Sequence, residues 1–286
     1  MAEIRKVGVV GLGAMGAGIA QLCVETAAVE TVGREMTLDL AERAHQRIAH
    51  FLTRKVEKGS LTPDARDAAV ARLTRTADLA DLADCDLVIE AIVEELEPQR
   101  ALFAELERFC RIDAVLATNT SALSVTEIAA AMSTPERVVG MHFFNPAPLM
   151  PLVEIVRAVH TAEDAVETAF SFGLRLGKTP IRCHDTPGFV VNRVLIPLLN
   201  DCIRVLDEAE VSPTDLDTAM RSGAGWPMGP CELVDLVGID VHVHAAQALQ
   251  AQLGEARIGP PERLVAMRDA GLLGRKSGQG FYAYDS

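Results

Sequence analysis

The sequence predicts an α/β protein: a doubly wound, mainly parallel sheet followed by an all-helical C-terminal domain. Three observations carry that expectation. An apolar strand near the N-terminus runs into a glycine-rich turn, short apolar runs then alternate with helical segments, and such runs largely stop beyond Asp185. The chain has 286 residues, 49% of them hydrophobic, enough to build two cores. The expected domains are therefore 1–184 and 185–286.

The first element is Lys6-Val7-Gly8-Val9-Val10, followed by Gly11-Leu12-Gly13-Ala14-Met15-Gly16 and a small-residue helix through Ala20. Gly11 permits the tight turn, Gly13 lets backbone amides approach a pyrophosphate, and Gly16 lets the helix pack close to the strand. The helix N-terminus then faces the anion, which makes Gly11, Gly13, Ala14, Met15 and Gly16 the candidate phosphate-side residues of a Rossmann-type dinucleotide site. The next strand, Val29 to Arg34, ends at Glu35, whose carboxylate is placed to accept hydrogen bonds from the adenosine ribose. Arg5 and Lys6 before an apolar run imitate a secretory signal, but the glycine spacing argues that this segment is retained. No later segment approaches the roughly 20 apolar residues needed to cross a bilayer.

Leu38 to Lys58 has helical spacing with basic residues on one side, and Pro63 opens another short helix. Strands follow at Asp86–Glu90, Ala114–Thr118, Val138–Phe143, Leu152–Val156 and Thr179–Cys183, with helices at Leu96–Cys110, Val125–Met132 and Asp164–Leu176. After Asp185-Thr186-Pro187-Gly188, the segments Phe189–Glu208, Pro213–Ser222, Gly229–Leu253 and Pro260–Ala270 read as helices. The first of these is apolar over more than one face, which fits a buried core helix and a subunit contact equally well.

Composition removes several classes of function. A formal charge of −13 argues against nucleic acid and anionic membrane surfaces. Six scattered cysteines without C-x-x-C spacing suit reduced thiols and a cytoplasmic compartment, and they offer no zinc site.

The candidate chemistry lies at strand ends, where open α/β sheets place their ligands. His142, near the end of the Val138 strand, is the leading acid/base residue, since imidazole exchanges protons near neutral pH. Glu154 stands on an otherwise apolar strand after a proline-bracketed loop. It is either the partner that orients His142 or an edge-strand acid facing water. Asn119 and Ser121 end the Ala114 strand, the serine placed for a substrate oxygen and the asparagine for cofactor, although the triplet Asn119-Thr120-Ser121 also reads as part of an ordinary helix cap. Glu90 is placed for the nicotinamide side or as a solvated strand cap. Asn192, polar among Phe189, Val190, Val191 and Val194, is placed to face a cleft. Arg54, Lys55 and Lys58 form a basic cluster suited to the phosphates of a large anionic carrier, or else a solvated helix face.

Together these segments resemble the 3-hydroxyacyl-CoA dehydrogenase family nearly end to end, most closely its bacterial 3-hydroxybutyryl-CoA members. The blocks are Val7 to Ala20, Val88-Ile89-Glu90-Ala91, Thr118 to Ser121, Met141 to Pro146, Asp185 to Arg193, Gly223 to Pro230, and Gly274 to Tyr282. The resemblance implies that His142 is the catalytic base with Glu154 as its orienting partner. It implies that Ser121 and Asn192 bind the substrate's reacting oxygen and thioester carbonyl, that Glu35 holds the ribose, that Glu90 and Asn119 serve the nicotinamide side, and that Lys55, with Lys58 nearby, lies near the CoA phosphates. It further implies a homodimer formed through the C-terminal helical domain.

Two departures touch the adenosine end: Ala27-Ala28 replaces a common Ala-Gly pair, and the second strand ends Gly33-Arg34-Glu35 instead of in apolar residues before an aspartate. Arg34 tolerates a 2′-phosphate whereas Glu35 repels it, which favours NAD over NADP. Gln99 replaces a lysine common after Glu90. The expected activity is reversible, NAD-dependent oxidation of a short-chain (S)-3-hydroxyacyl-CoA. The alternatives are a dehydrogenase of a free hydroxy acid, gulonate- or carnitine-like, and a non-catalytic dinucleotide-binding protein related to crystallins or sensors. A hydrolase built on Ser121, His142 and Glu154 is disfavoured, because no G-x-S-x-G elbow surrounds Ser121.

Overall fold

The structure, a computed structural model, describes residues 3–284. The chain divides into two compact units, the first running to Phe189 and the second starting at Val190.

The first unit runs β1 (Lys6–Val10), α1 (Ala14–Glu25), β2 (Glu30–Arg34), α2 (Leu38–Glu57), α3 (Pro63–Ala71), β3 (Leu73–Thr76), β4 (Leu87–Glu90), α4 (Leu96–Phe109), β5 (Val115–Thr118), α5 (Val125–Ala129), β6 (Val138–Phe143), β7 (Leu152–Arg157), α6 (Glu163–Arg175) and β8 (Thr179–His184). These strands form one eight-stranded sheet in the order β3-β2-β1-β4-β5-β6-β7-β8, parallel except for the antiparallel β6·β7 pair. The order reverses between β1 and β4, the topological switch at which doubly wound sheets bind ligands. The strands are apolar because both faces are covered. Val7, Val9, Ile89, Ala117, Val139, Met141, Val153 and Ile155 pack on one side with residues of α1, α2 and α6, and Val10, Val32, Val88, Leu116, Val138 and Val156 on the other with residues of α4 and α5.

One transverse register row sets the frame of the site. It runs Arg34, Val10, Glu90, Thr118, Gly140, each residue opposite the next on the neighbouring strand. Gly11, Glu35, Asn119 and His142 all lie one or two residues beyond that row, at the carboxyl edge of the parallel strands.

The second unit is helical: α7 (Val191–Glu208), α8 (Pro213–Ala224), α9 (Pro230–Val237), α10 (Ile239–Leu253) and α11 (Glu262–Asp269). Its core joins Leu199, Ile203, Leu206, Val234, Ile239, Val243 and Leu264. Gly229 has no side chain to cap α9, so Asp217 of α8 does so, accepting from the amides of Cys231 and Glu232 at 2.8 and 3.1 Å.

Three local readings change. A strand that the sequence does not announce, β3, pairs with β2 at the sheet edge. The span expected to be one helix from Gly229 to Leu253 is broken at Gly238, whose φ of 101° no helix accepts. The helix expected from Phe189 starts at Val191, because Gly188 and Phe189 both have positive φ and the Phe189 ring joins the first unit's core. Asp185 is held to that unit as well, accepting from Ser124 Oγ at 2.7 Å and from the Thr126 amide at 2.8 Å.

Candidate active site

The glycine turn is shaped for a ligand that approaches its backbone. Gly11 has φ of 84°, and a Cβ there would lie 2.7 Å from the Ala91 carbonyl; a Cβ at Gly16 would lie 1.8 Å from the Gly11 carbonyl. Gly13 differs, since a Cβ there would meet nothing within 4 Å. It therefore leaves open space in front of the N-terminus of α1, which has no capping side chain and no acidic residue in its first turn. Unneutralised amides at Ala14, Met15 and Gly16 beside an open approach fit a dinucleotide pyrophosphate. Glu35 sits next to this turn, its carboxylate accepting from the Leu12 amide at 2.6 Å. An acid at that position fits the ribose hydroxyls of NAD and opposes a 2′-phosphate. Arg47 of α2 holds the same residue from the other side, Nη2 donating to the Leu12 carbonyl at 2.5 Å.

Further along the edge, Glu90 is buried, at 1% exposure, and accepts from Thr118 Oγ1 and the Ile92 amide, each at 2.7 Å. The solvated-cap reading of Glu90 is therefore wrong: it lies inside the sheet's end, between β4 and β5. Burial pushes its carboxyl up to about 7 against the lowering effect of those two hydrogen bonds. Asn119 joins β5 to β6, its Oδ1 accepting from the Phe143 amide at 3.0 Å, one residue from His142.

His142 and Glu154 stand directly opposite each other on antiparallel β6 and β7, so their side chains share a face. His142 Nδ1 is 2.7 Å from Glu154 Oε2, and the two residues are 4% and 0% exposed. The water-facing reading of Glu154 is thus excluded. The aromatic rings of Phe144 and Phe189 lie 4.5 and 5.6 Å from the imidazole. A carboxylate accepts from Nδ1–H, so the proton-exchanging atom of a neutral ring is Nε2, on its opposite side. The carboxylate also stabilises the ring when it gains a second proton.

Ser121 lies in the loop after β5, which Glu94 organises. The Glu94 carboxylate accepts from the Ser121 amide at 2.7 Å, the Ala122 amide at 3.0 Å and the Thr120 hydroxyl, with Ser121 Oγ at 3.4 Å. Nothing periodic in the sequence singles out Glu94, because it acts on a segment nearly thirty residues away. Asn192 belongs to the second unit, in the first turn of α7.

The basic residues of α2 face a cavity of about 800 Å³. Arg47, Phe51, Arg54 and Lys55 line it from α2 and Lys58 from its C-cap, at spacings that fall on one helical face. Ala14, Ala17, Gly18 and Gln21 line it from α1, and Asn145, Pro146, Pro148 and Leu149 from the loop after β6. Along this wall Arg54 and Lys58 are exposed and Lys55 is partly buried. Lys55 is paired with Glu25, whereas Arg54 and Lys58 have no carboxylate partner among the described residues. Arg47, one turn before Phe51 and two before Arg54, adds a fourth cation to the same helical face. Among the described residues no group of His, Cys, Asp and Glu is arranged to hold a metal.

Two family models cover nearly the whole chain: the NAD binding domain of 3-hydroxyacyl-CoA dehydrogenase matches residues 6–186, and the C-terminal domain of the same family matches residues 188–284. A 3-hydroxybutyryl-CoA dehydrogenase of Mycobacterium tuberculosis is 44% identical over 283 residues, covering 98% of this chain and 99% of the relative. A probable 3-hydroxybutyryl-CoA dehydrogenase of Deinococcus radiodurans is 41% identical over 279 residues, covering 98% of this chain and all of the relative. Among solved structures, the (S)-3-hydroxybutyryl-CoA dehydrogenase of Ralstonia eutropha superposes with a TM-score of 0.95 at 35% identity, over 99% of this chain and 100% of that one.

Proposed function

Because the chain belongs to the 3-hydroxyacyl-CoA dehydrogenase family, we propose that it interconverts a short-chain (S)-3-hydroxyacyl-CoA and the 3-ketoacyl-CoA, with His142 and Glu154 as its acid/base pair. The observation that carries this reading is the buried His142–Glu154 contact, at the same sheet edge as the glycine turn. Bound NAD supplies the hydride acceptor for the C3 hydrogen. In oxidation the hydroxyl proton passes to Nε2 of neutral His142 as the C3–H bond gives up its electron pair. Glu154 keeps Nδ1–H in place and offsets the positive charge that the ring acquires. In reduction the imidazolium returns that proton to the ketone oxygen. Ser121 holds the reacting oxygen, and Glu90 and Asn119 shape the nicotinamide side.

The cavity lined by Arg54, Lys55 and Lys58 supports a CoA ester over a free hydroxy acid, since a protein of charge −13 must meet phosphates with a local cluster. The half-exposed stripe Val194, Leu198 and Val205 on α7 supports a homodimer formed through the helical unit. Six free cysteines support a reducing, cytoplasmic setting, and no helix among the described residues is long and apolar enough to cross a membrane.

NADH consumption with acetoacetyl-CoA, compared with free acetoacetate and with NADPH, tests the reading. We expect kcat/KM for the CoA ester to exceed that for the free acid at least about a hundredfold, and NADH to be preferred. Preference for the free acid would favour the hydroxy-acid alternative. Nucleotide binding without turnover would favour a non-catalytic role.

A further inference from the structure

The loop from Asn145 to Pro151, between β6 and β7, builds one wall of the basic cavity. It has little backbone support of its own. Three of its residues are prolines, which have no N–H, and the amides of Leu149 and Met150 both turn back to the Pro146 carbonyl, at 2.9 and 3.0 Å. Its end is tied to β8, the Thr179 amide donating to the Pro151 carbonyl at 2.7 Å, and two further contacts from outside fix the rest. On one side it packs on α1, where a Cβ at Gly18 would lie 2.9 Å from Pro148 Cδ and 3.2 Å from Ala147 Cβ. On the other stands Lys178, in the turn between α6 and β8. Its Nζ donates to the Ala147 carbonyl at 2.6 Å and the Met150 carbonyl at 2.8 Å, and the residue is only 7% exposed.

A buried ammonium normally finds a carboxylate, yet none pairs with Lys178 among the described residues. Burial draws it below the ordinary lysine value. The charge is met by loop carbonyls, a costly arrangement unless the position of that loop matters. The loop does not itself set the His142–Glu154 register, which β6 and β7 fix through their own pairing.

We propose that Lys178 is a positioning residue for the acyl-CoA: by gripping Ala147 and Met150 it fixes the cavity wall against which the nucleotide end of CoA rests, and so sets affinity for the CoA ester and not the rate of chemistry. This rests on the CoA reading of the cavity given above. Lys178→Met keeps most of the side chain's bulk and removes the charge. With acetoacetyl-CoA and NADH, the KM for the CoA ester rises about tenfold in this variant, while kcat and the KM for NADH stay within about twofold. With acetoacetyl-N-acetylcysteamine, a thioester lacking the nucleotide, kcat/KM equals that of the wild type. Lys178→Arg recovers part of the lost affinity, and the Leu149 and Met150 amides exchange hydrogen faster in Lys178→Met.

Three results overturn the proposal: an unchanged KM in Lys178→Met, an equal loss on both thioesters, or failure of that variant to fold, which would make Lys178 a folding residue. If the wild type reduces neither thioester, the CoA reading falls and the proposal with it. The exchange rates at Leu149 and Met150 distinguish that outcome from failure of the clamp alone.

Discussion

His142 and Glu154 meet because a single antiparallel register puts one opposite the other, and each alone would be an expensive group to bury. The sequence allowed this pairing to be read, since Glu154 interrupts an apolar alternation and His142 ends a strand. It did not allow Glu94 or Lys178 to be read, because their partners lie in loops about thirty residues away in the chain. Ala28 shows the reverse case, a departure visible in sequence with a measurable structural cost. It has φ of 54°, two residues beyond the C-cap of α1 at Thr26. An alanine in the left-handed region is strained, so Ala28→Gly is expected to stabilise the protein by up to about 1 kcal/mol. A higher denaturant midpoint at unchanged kcat would show this; an equal or lower midpoint would argue that the local backbone already tolerates Cβ.

At the scale of elements, the unit from β1 through α1 was fully legible, because each glycine answers a different steric demand and the three demands share one spacing. Strand β3 was not, since Leu73-Thr74-Arg75-Thr76 is an edge strand with its two middle residues exposed and no apolar alternation. The break between α9 and α10 was hidden by apolar residues that continue through Leu236, Val237 and Ile239 on both sides of Gly238. Gly13 offers the sharpest test of the turn. Nothing in the protein occupies the space a Cβ would take there, so Gly13→Ala should lower cofactor-free stability by no more than the N-cap preference for glycine over alanine, about 1 kcal/mol. The same methyl should raise the Kd for NADH at least about tenfold, because it stands where the pyrophosphate approaches the backbone. Calorimetric titration that finds unchanged NADH affinity would contradict the assignment of this turn.

Across the whole molecule, the two units carry buried titratable groups with opposite pH signatures. In the first, Glu90 stays protonated up to about pH 7 in the fold but ionises near 4.5 when unfolded, so stability falls as pH rises between those values, by on the order of 3 kcal/mol in total. In the second, burial holds His242 down at about 4, with Nε2 2.8 Å from Asn200 Oδ1. Its contribution is complete above about pH 6.5 and fades as pH falls toward 4. Relative to wild type, Glu90→Gln should therefore gain unfolding free energy from pH 5 to 8, and His242→Gln should gain it from pH 6.5 to 4.5. Parallel pH profiles for variants and wild type would show that neither group titrates with folding. The function of the molecule nevertheless turns on one proton passing through His142 while hydride is exchanged, and turnover of His142→Ala tests that most directly. In this variant kcat for acetoacetyl-CoA reduction is expected to fall at least about a hundredfold while the Kd for NADH stays within about threefold. Near-wild-type turnover by folded, NADH-bound His142→Ala would contradict it.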